Sequence, residues 1–295
     1  MYTLTPPKFD YKRASSVEEA CKLLAATDGT KVIAGGQSLL VAMRLRLASP
    51  AVLVDIGHIS GLGNISEEGM GLNIGATCTH SKLARSKEVM ERFPILCEAA
   101  ARVGDEQVRN RGTIGGSISH ADPAGNYAPV LTALNAKIAL VSASNRRTIA
   151  ASNFFEGPYT TVLNGDELVE KVILEKKPSS GTREGHSFMK FSTMPQEFAT
   201  VNVASIVAIK DGKFEEVTVA LGALLPKPRI MAELGESLMG KAASAENIRQ
   251  ASQELHLGSE IISDYKASAQ YRTHIAKVLV ARSLLTAVNR ATGAE

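Results

Sequence analysis

The sequence contains too few cysteines to hold an iron–sulfur cluster. Its 295 residues include three cysteines, Cys21, Cys78 and Cys97, which stand apart from one another without a C-x-x-C pair or a fourth thiol. Because such a cluster is generally held by four thiolates, we expect none in this chain. The three thiols are expected to be small buried apolar side chains. A cluster that supplies electrons would therefore belong to another polypeptide.

Long apolar runs and clusters of basic residues are also missing. No uninterrupted apolar stretch reaches about eighteen residues, the length that a transmembrane helix needs. Residues 1–11 carry prolines and an acidic residue where a signal peptide needs an apolar run, so a cytoplasmic location is expected, with membrane association only through partners. The net charge of +3, without a Lys/Arg run, argues against nucleic-acid binding.

What the sequence does contain is two pairs of adjacent glycines flanked by hydroxyl residues. The first glycine segment, residues 34–38, reads AGGQS, and the second glycine segment, residues 113–117, reads TIGGS. Adjacent glycines permit positive φ and let successive backbone N–H groups turn toward an anion. No Lys-Ser or Lys-Thr follows either pair, and the G-x-G-x-x-G spacing is absent, so neither is a Walker or Rossmann loop. One pair alone could be a tight turn, but two such pairs predict two loops that close on one diphosphate.

Periodicity divides the chain into three regions. Residues 1–57 are predicted as a first subdomain, in which a βαβ unit has the first glycine segment between a strand and a helix, so its two strands should be parallel. Residues 58–178 are predicted as a second subdomain of mixed strands and helices, followed by a linker at residues 178–181. Residues 182–291 are predicted as an antiparallel sheet covered by helices, with a hairpin at Asp211-Gly212.

Several local features accompany this division. Ser16 and Glu19 predict a capping box ahead of the first helix. Ser38 is expected to cap the next helix, with Leu47 on the same apolar side as Met43. Arg146 and its neighbour Arg147 are expected in a solvated turn.

The glycine segments lie in longer stretches that resemble a known family. AGGQS at residues 34–38 and RNRGTIGGSISHADP at residues 109–123 are similar to the FAD-binding medium subunits of molybdenum hydroxylases, the group of aerobic carbon monoxide dehydrogenase and xanthine dehydrogenase. The resemblance continues through SFMKF at 187–191, VTVALGALLPKP at 217–228 and SDYKASAQYRTHIAKVL at 263–279. It implies an α+β fold: a two-subdomain FAD-binding fold of the PCMH, vanillyl-alcohol-oxidase-like type, followed by a C-terminal antiparallel sheet-and-helix domain.

The resemblance also implies how FAD is bound. The two glycine segments would grip its diphosphate, and Val169 and Lys190 match positions near the flavin ring. Asn126 stands where family members commonly carry Asp, so it can accept from a flavin hydroxyl without the charge-assisted bond. The implied cofactor-binding residues are Ala34, Gly35, Gly36, Gln37, Ser38, Thr113, Ile114, Gly115, Gly116, Ser117, Asn126, Val169 and Lys190.

No catalytic residue and no metal site are expected in this chain. His120 and Asp122 could form an acid–base pair or hold a metal at i, i+2 spacing. No further ligands stand at suitable spacing, so hydrogen bonding within the loop and positioning near the flavin are the favoured roles.

The function implied by the resemblance is electron transfer. Substrate would be oxidised at molybdopterin on a large subunit, and electrons would pass through [2Fe–2S] clusters of a small subunit to FAD here and on to an external acceptor. The assembly would be a dimer of heterotrimers. A stand-alone FAD-dependent oxidase or reductase and a scaffold without cofactor are the alternatives. Whether the substrate is carbon monoxide, an aldehyde or an N-heterocycle is determined by the large subunit.

Overall fold

A computed structural model describes residues 5–176 and 181–294 of the chain. Of the predicted linker, Pro178, Ser179 and Ser180 lie outside the described residues. The N-terminal part contains a small parallel sheet and two helices, which are β1 (Asp10–Arg13), α1 (Val17–Ala26), β2 (Thr30–Ile33), α2 (Leu39–Arg44) and β3 (Val52–Asp55).

The three strands pair in parallel in the order β1-β3-β2. The predicted βαβ unit is confirmed by β2, α2 and β3. Strand β1 was not predicted, because all four of its residues are exposed and its sequence has no apolar alternation. The carboxyl end of β2 therefore points the first glycine segment out of the sheet, toward the rest of the molecule.

The caps of the first two helices differ from each other. Ser16 Oγ accepts from the Glu19 N–H at 3.1 Å, as predicted, but the Glu19 carboxylate accepts from the Ser15 N–H at 2.7 Å. Ser38 makes no capping hydrogen bond, because its backbone is already helical, with φ −107° and ψ −49°. The Ser38 prediction is therefore wrong, and this hydroxyl is left out of the helix hydrogen bonding.

The prediction that Leu47 lies on the same apolar helix side as Met43 is also wrong. Its side chain is 79% exposed, and Met43 is the buried residue of α2. The helix ends at Arg44, and Arg46 takes a left-handed backbone with φ 62°, so the chain turns before Leu47 can share the helix face.

The middle part of the chain is built on a sheet whose strands pair antiparallel in the order β4-β5-β10-β6-β7, with helices around it. Its elements are β4 (Ile65–Glu68), β5 (Gly71–Gly75), α3 (His80–Arg85), α4 (Lys87–Arg92), α5 (Pro94–Ala101), α6 (Glu106–Arg111), α7 (Ile114–His120), α8 (Tyr127–Ala133), β6 (Lys137–Val141), β7 (Arg146–Ala150), α9 (Ala151–Phe154), β8 (Phe155–Gly157), β9 (Thr160–Thr161) and β10 (Leu168–Leu174).

Arg146 and Arg147 lie in β7 and not in a turn. The Arg147 guanidinium donates two hydrogen bonds of 2.7 Å to the carboxylate of the buried Glu167. A bidentate pair of this kind holds the arginine against the sheet, which explains why the solvated-turn prediction failed.

The C-terminal part is an antiparallel sheet covered by helices, as predicted. Its elements are β11 (Arg183–Phe191), β12 (Val201–Lys210), β13 (Lys213–Gly222), β14 (Arg229–Ile230), α10 (Ala232–Leu238), α11 (Ala245–Gln253) and α12 (Ala269–Thr292). The strands follow the order β11-β12-β13-β14. Asp211 and Gly212 have φ of 50° and 74°, so the predicted two-residue hairpin is confirmed.

Strand β12 has two buried faces that belong to different cores. Val203 and Val207 pack in the core that the sheet shares with α10, α11 and α12. Ala204 and Ile206 pack with the core of the N-terminal and middle parts. Because side chains alternate along a strand, β12 is a wall common to both cores, which explains its nearly continuous apolar sequence.

The three cysteines are buried and unpaired, as predicted. Desolvation raises the pKa of the Cys78 thiol and of the Cys97 thiol to about 11. These thiols are therefore uncharged and unreactive near neutral pH.

Candidate functional site

The first glycine segment, residues 34–38, presents a row of unused backbone donors beyond the end of β2. Gly36 has φ 74°, in the region that favours glycine. Among the described residues, no acceptor receives a hydrogen bond from the N–H of Gly35, Gly36, Gln37 or Ser38. Successive free N–H groups of this kind suit the oxygens of a phosphate, and the Ser38 hydroxyl stands beside them.

The second glycine segment, residues 113–117, has a different role for its backbone. It forms the first turn of α7, capped by Thr113. Its N–H groups are already bonded within 3.1 Å, from Ile114 to the Cys78 carbonyl, Gly115 to the Ala76 carbonyl, Gly116 to Thr113 Oγ1 and Ser117 to the Thr113 carbonyl. From 114 to 117 it therefore has no free backbone donor, which differs from the expectation that both segments supply them. What it offers is the exposed backbone of Gly116 and the hydroxyl groups of Thr113 and Ser117.

The first segment contacts the backbone directly ahead of the second segment. A Cβ built on Gly35 would lie 2.7 Å from both the Arg111 carbonyl carbon and the Gly112 Cα, closer than real Cβ atoms come to backbone. On its other side Gly112 is closed in by His80, since a Cβ there would lie 2.7 Å from the His80 Nε2. Gly112 was not selected from the sequence, although a third glycine directly ahead of the TIGG motif was a usable signal.

His80 packs against Gly112 at this contact. Its ring is buried, and its Nδ1 lies 2.7 Å from the hydroxyl of the equally buried Tyr127. Desolvation, helped by the positive charge of Arg109, lowers the pKa of His80 to about 4. The imidazole is therefore neutral at physiological pH, and it connects Gly112 to the residue that follows Asn126.

Asn126 is buried, and its side-chain Nδ2 donates to the Ala99 carbonyl in α5 at 3.1 Å. This bond occupies the amide nitrogen and leaves the amide oxygen as the group suited to a hydroxyl donor. A flavin hydroxyl contact at Asn126 stays a prediction.

The Lys190 ammonium is surrounded by carbonyl oxygens at the other end of α5. Its Nζ donates to Arg102 at 2.9 Å, Pro195 at 2.7 Å and Glu197 at 2.9 Å. An ammonium has three donors, so all of them are in use. Desolvation, with the charges of Arg102 and Arg109, lowers the pKa of Lys190. Lys190 thus holds residues 195–197 against α5, and a hydrogen bond to a cofactor would have to replace one of these three.

Val169 is buried in β10, opposite Leu140 of β6, where the pairing of the two strands shifts register. The next residue connects it to the second glycine segment, because the Glu170 carbonyl accepts from the Ala76 N–H at 3.0 Å and Ala76 accepts from Gly115 at 2.9 Å. A contact between Val169 and the flavin ring stays a prediction.

His120 and Asp122 take part in loop contacts, one of the two favoured roles. Asp122 accepts from the Ala124 N–H at 2.9 Å and from the Tyr159 hydroxyl at 3.3 Å. The His120 ring lies 5.1 Å from the Tyr159 ring, centroid to centroid. Desolvation lowers the pKa of His120, and the charge of Asp122 opposes that shift. In the part of the chain that the structure describes, no group of three or more His, Cys, Asp or Glu side chains is placed to hold a metal ion.

Two α+β parts, in which Gly35 contacts the backbone directly ahead of the second glycine segment, fit the class of proteins that bind a nucleotide diphosphate. Comparison with known proteins makes this class specific. The family model described as the FAD binding domain in molybdopterin dehydrogenase matches residues 7–176, and that of the CO dehydrogenase flavoprotein C-terminal domain matches residues 186–287. The chain belongs to this family of FAD-binding subunits of molybdenum-containing dehydrogenases.

Relatives in the same family match along almost their whole length. The chain is 34% identical over 281 residues to the nicotine 6-hydroxylase medium subunit of Paenarthrobacter nicotinovorans, covering 95% of this chain and 98% of the relative. It is 35% identical over 283 residues to the carbon monoxide dehydrogenase medium chain of Hydrogenophaga pseudoflava, covering 95% and 97%.

Solved structures show the same fold. Carbon monoxide dehydrogenase from H. pseudoflava, in a form that lacks the Mo-pyranopterin moiety, matches with a TM-score of 0.92 at 35% identity, over 97% of this chain and 99% of that one. Quinoline 2-oxidoreductase from Pseudomonas putida 86 matches with a TM-score of 0.91 at 30% identity, over 98% and 99%. The predicted fold class, the FAD cofactor and the assignment as a medium, flavoprotein subunit of an oxidoreductase are confirmed.

Helices long and apolar enough to cross a membrane are absent from residues 5–176 and 181–294.

Proposed function

We propose that this chain is the electron-transfer subunit of a molybdenum hydroxylase. It takes electrons from the [2Fe–2S] clusters of a small partner subunit and passes them to an external acceptor, while substrate is oxidised at the molybdopterin of a large subunit. The proposed assembly is a dimer of heterotrimers in the cytoplasm, which associates with membranes only through partners. The observation that carries the proposal is the row of N–H groups at residues 35–38 for which the described part of the chain provides no acceptor. It lies next to the contact of Gly35 with Arg111 and Gly112, in a chain whose relatives are medium subunits.

The residues present fit a dinucleotide diphosphate. A diphosphate placed in a cleft needs donors to replace its water, and the first glycine segment supplies them from its backbone and from Ser38. The Thr113 and Ser117 hydroxyls are the donors proposed from the second segment, where the exposed Gly116 carries no side chain. Asn126 would accept from a hydroxyl of the flavin chain, with Val169 and Lys190 beside the ring.

The work assigned to this chain is to bind and orient its cofactor. FAD, when bound, can accept electrons singly and release them in pairs, which suits it to join one-electron clusters to a two-electron acceptor. We assign no acid, base or nucleophile for substrate chemistry to any residue here. The relatives' names refer to nicotine, carbon monoxide and quinoline, and substrate choice is assigned to the large subunit.

Residues 1–57, 58–178 and 182–291 are proposed as the first FAD-binding subdomain, the second FAD-binding subdomain and the C-terminal domain. The separate parallel and antiparallel sheets support the first division. The second falls between the two family matches, which end at residue 176 and begin at residue 186.

The test compares flavin reduction in two preparations: the full-length chain together with its co-purifying partner chains, and the full-length chain separated from them. We expect FAD in both preparations, and rapid bleaching of the flavin only when a reduced iron–sulfur subunit is present. Turnover of a small substrate by the isolated chain would instead support a stand-alone oxidase or reductase. A chain that never retains FAD would overturn the proposal.

A further inference from the structure

We propose that Asn202, in the C-terminal sheet, is a positioning residue for the flavin loop, defined as residues 121–126. Its side-chain amide holds Gly125 and thereby sets the place of Asn126. The inference rests on the proposed placement of FAD and adds to it a residue outside the FAD-binding part of the chain.

The C-terminal sheet holds the flavin loop at two points. Asn202 is fully buried in β12, and its Nδ2 donates to the Gly125 carbonyl at 3.1 Å. The Ala223 N–H, just beyond β13, donates to the Pro123 carbonyl at 2.8 Å. Asn126 follows Gly125 directly, so the Asn202 bond acts one residue away from the predicted flavin contact.

This arrangement is unfavourable for the stability of the sheet. Within the described part of the chain, Asn202 Oδ1 has no hydrogen-bond partner, although it is buried. Gly222 is the paired residue in β13, and a Cβ there would overlap with Asn202 Oδ1. A buried acceptor without a donor and a glycine within a strand both weaken a fold. An apolar residue at 202 would remove the unpaired acceptor.

A polar group that lowers the stability of the fold is expected to be present where it serves function. The neighbouring polar residue of β12 shows the contrast. Ser205 points to the opposite face, where it receives a 2.8 Å hydrogen bond from the Ser283 hydroxyl of α12. Ser205 therefore joins elements of the C-terminal part only, whereas Asn202 reaches the flavin loop.

The decisive variant is Asn202→Leu, which has a similar size and no polar group. Two quantities are measured on the full-length chain: the thermal midpoint without flavin, and the FAD dissociation constant from titration of the flavin-free chain. We expect FAD binding about tenfold weaker, since the flavin loop is no longer held at Gly125. The midpoint should change little, because the variant removes the unpaired Oδ1 acceptor together with the hydrogen bond to Gly125. Ser205→Ala is the matched control, for which we expect a lower midpoint and unchanged FAD binding.

A double-mutant cycle tests the same contact from β13. Gly222→Ala pushes on the Asn202 amide and is expected to weaken FAD binding. In an Asn202→Ala background the same change should have much less effect, because the amide it displaces is gone. The other neighbour of the new methyl group, the Pro129 ring at 3.2 Å, is present in both backgrounds and cancels.

Three results would overturn the inference. One is Asn202→Leu with unchanged FAD binding. Another is Asn202→Leu that fails to fold or loses thermal stability, which would make Asn202 an ordinary structural residue. The last is equal effects of Gly222→Ala in both backgrounds. If the unmutated chain binds no FAD, the proposed function fails as well, so the two failures are distinguishable.

Discussion

Gly35 and Arg111 are in backbone contact, with no room for a side chain between them. Because a Cβ on Gly35 would lie 2.7 Å from the Arg111 carbonyl carbon, Gly35→Ala must push the first glycine segment away from the backbone of residues 111–112. We expect loss of bound FAD and a free energy of unfolding lower by about 1–3 kcal/mol, the usual effect of overpacking. The FAD-to-protein ratio and a denaturant melt measure the two effects. Gly165→Ala, where nothing lies within 4 Å of the new methyl group, is the control.

The adjacent glycines of the second segment are expected to respond differently. A Cβ on Gly115 would lie 2.7 Å from the Ala76 carbonyl oxygen, so Gly115→Ala should destabilise the fold itself. A Cβ on Gly116 would meet only the Thr113 Oγ1, at 2.9 Å, and Gly116 is exposed. Gly116→Val should therefore abolish FAD retention, and it should lower the melting temperature of the flavin-free chain less than Gly115→Ala does, because only the Thr113 cap has to shift. Normal FAD occupancy in Gly116→Val would contradict the placement of the diphosphate.

The buried His80 predicts a loss of stability in mild acid. Its pKa is lowered from 6.5 to about 4 in the folded chain, so the unfolded chain binds the proton first as pH falls. Stability is fully present above about pH 6.5 and falls between there and about pH 4, by about 3 kcal/mol in all. His80→Gln should flatten that part of the curve of unfolding free energy against pH. A flat profile that His80→Gln leaves unaltered would contradict this role of His80.

Lys190 is predicted to order the turn at residues 195–197, to which it donates hydrogen bonds. Lys190→Met removes all three hydrogen bonds to backbone carbonyls, so residues 192–198 should exchange amide hydrogens faster than in the unmutated chain. Lys210→Met, at an exposed strand end, is the control. Lys190→Met also separates two roles of Lys190. Faster exchange with unchanged FAD binding assigns Lys190 to the turn, whereas weaker FAD binding with unchanged exchange assigns it to the cofactor.

Local patterns in the sequence predicted local structure well. Ser16 caps its helix, and Asp211-Gly212 turns its hairpin. Each depends on residues a few positions apart, for which periodicity and turn chemistry are sufficient. Strand β1 and the exposed Leu47 were mispredicted because edge position and helix length depend on neighbours that are distant in sequence.

The sequence by itself determined the family, the cofactor and which two glycine segments to examine, because these follow from residue types in a fixed order. Only the tertiary structure decided how the segments are used. It brought Gly35 against Arg111 and used the N–H groups of residues 114–117 within the protein. For the N–H groups of residues 35–38 it placed no acceptor from the described residues within reach. It also placed the Asn202 side-chain amide within hydrogen-bond distance of the flavin loop. These are contacts between residues far apart in the chain, and a donor is free or bonded only once the folded backbone has placed an acceptor within reach.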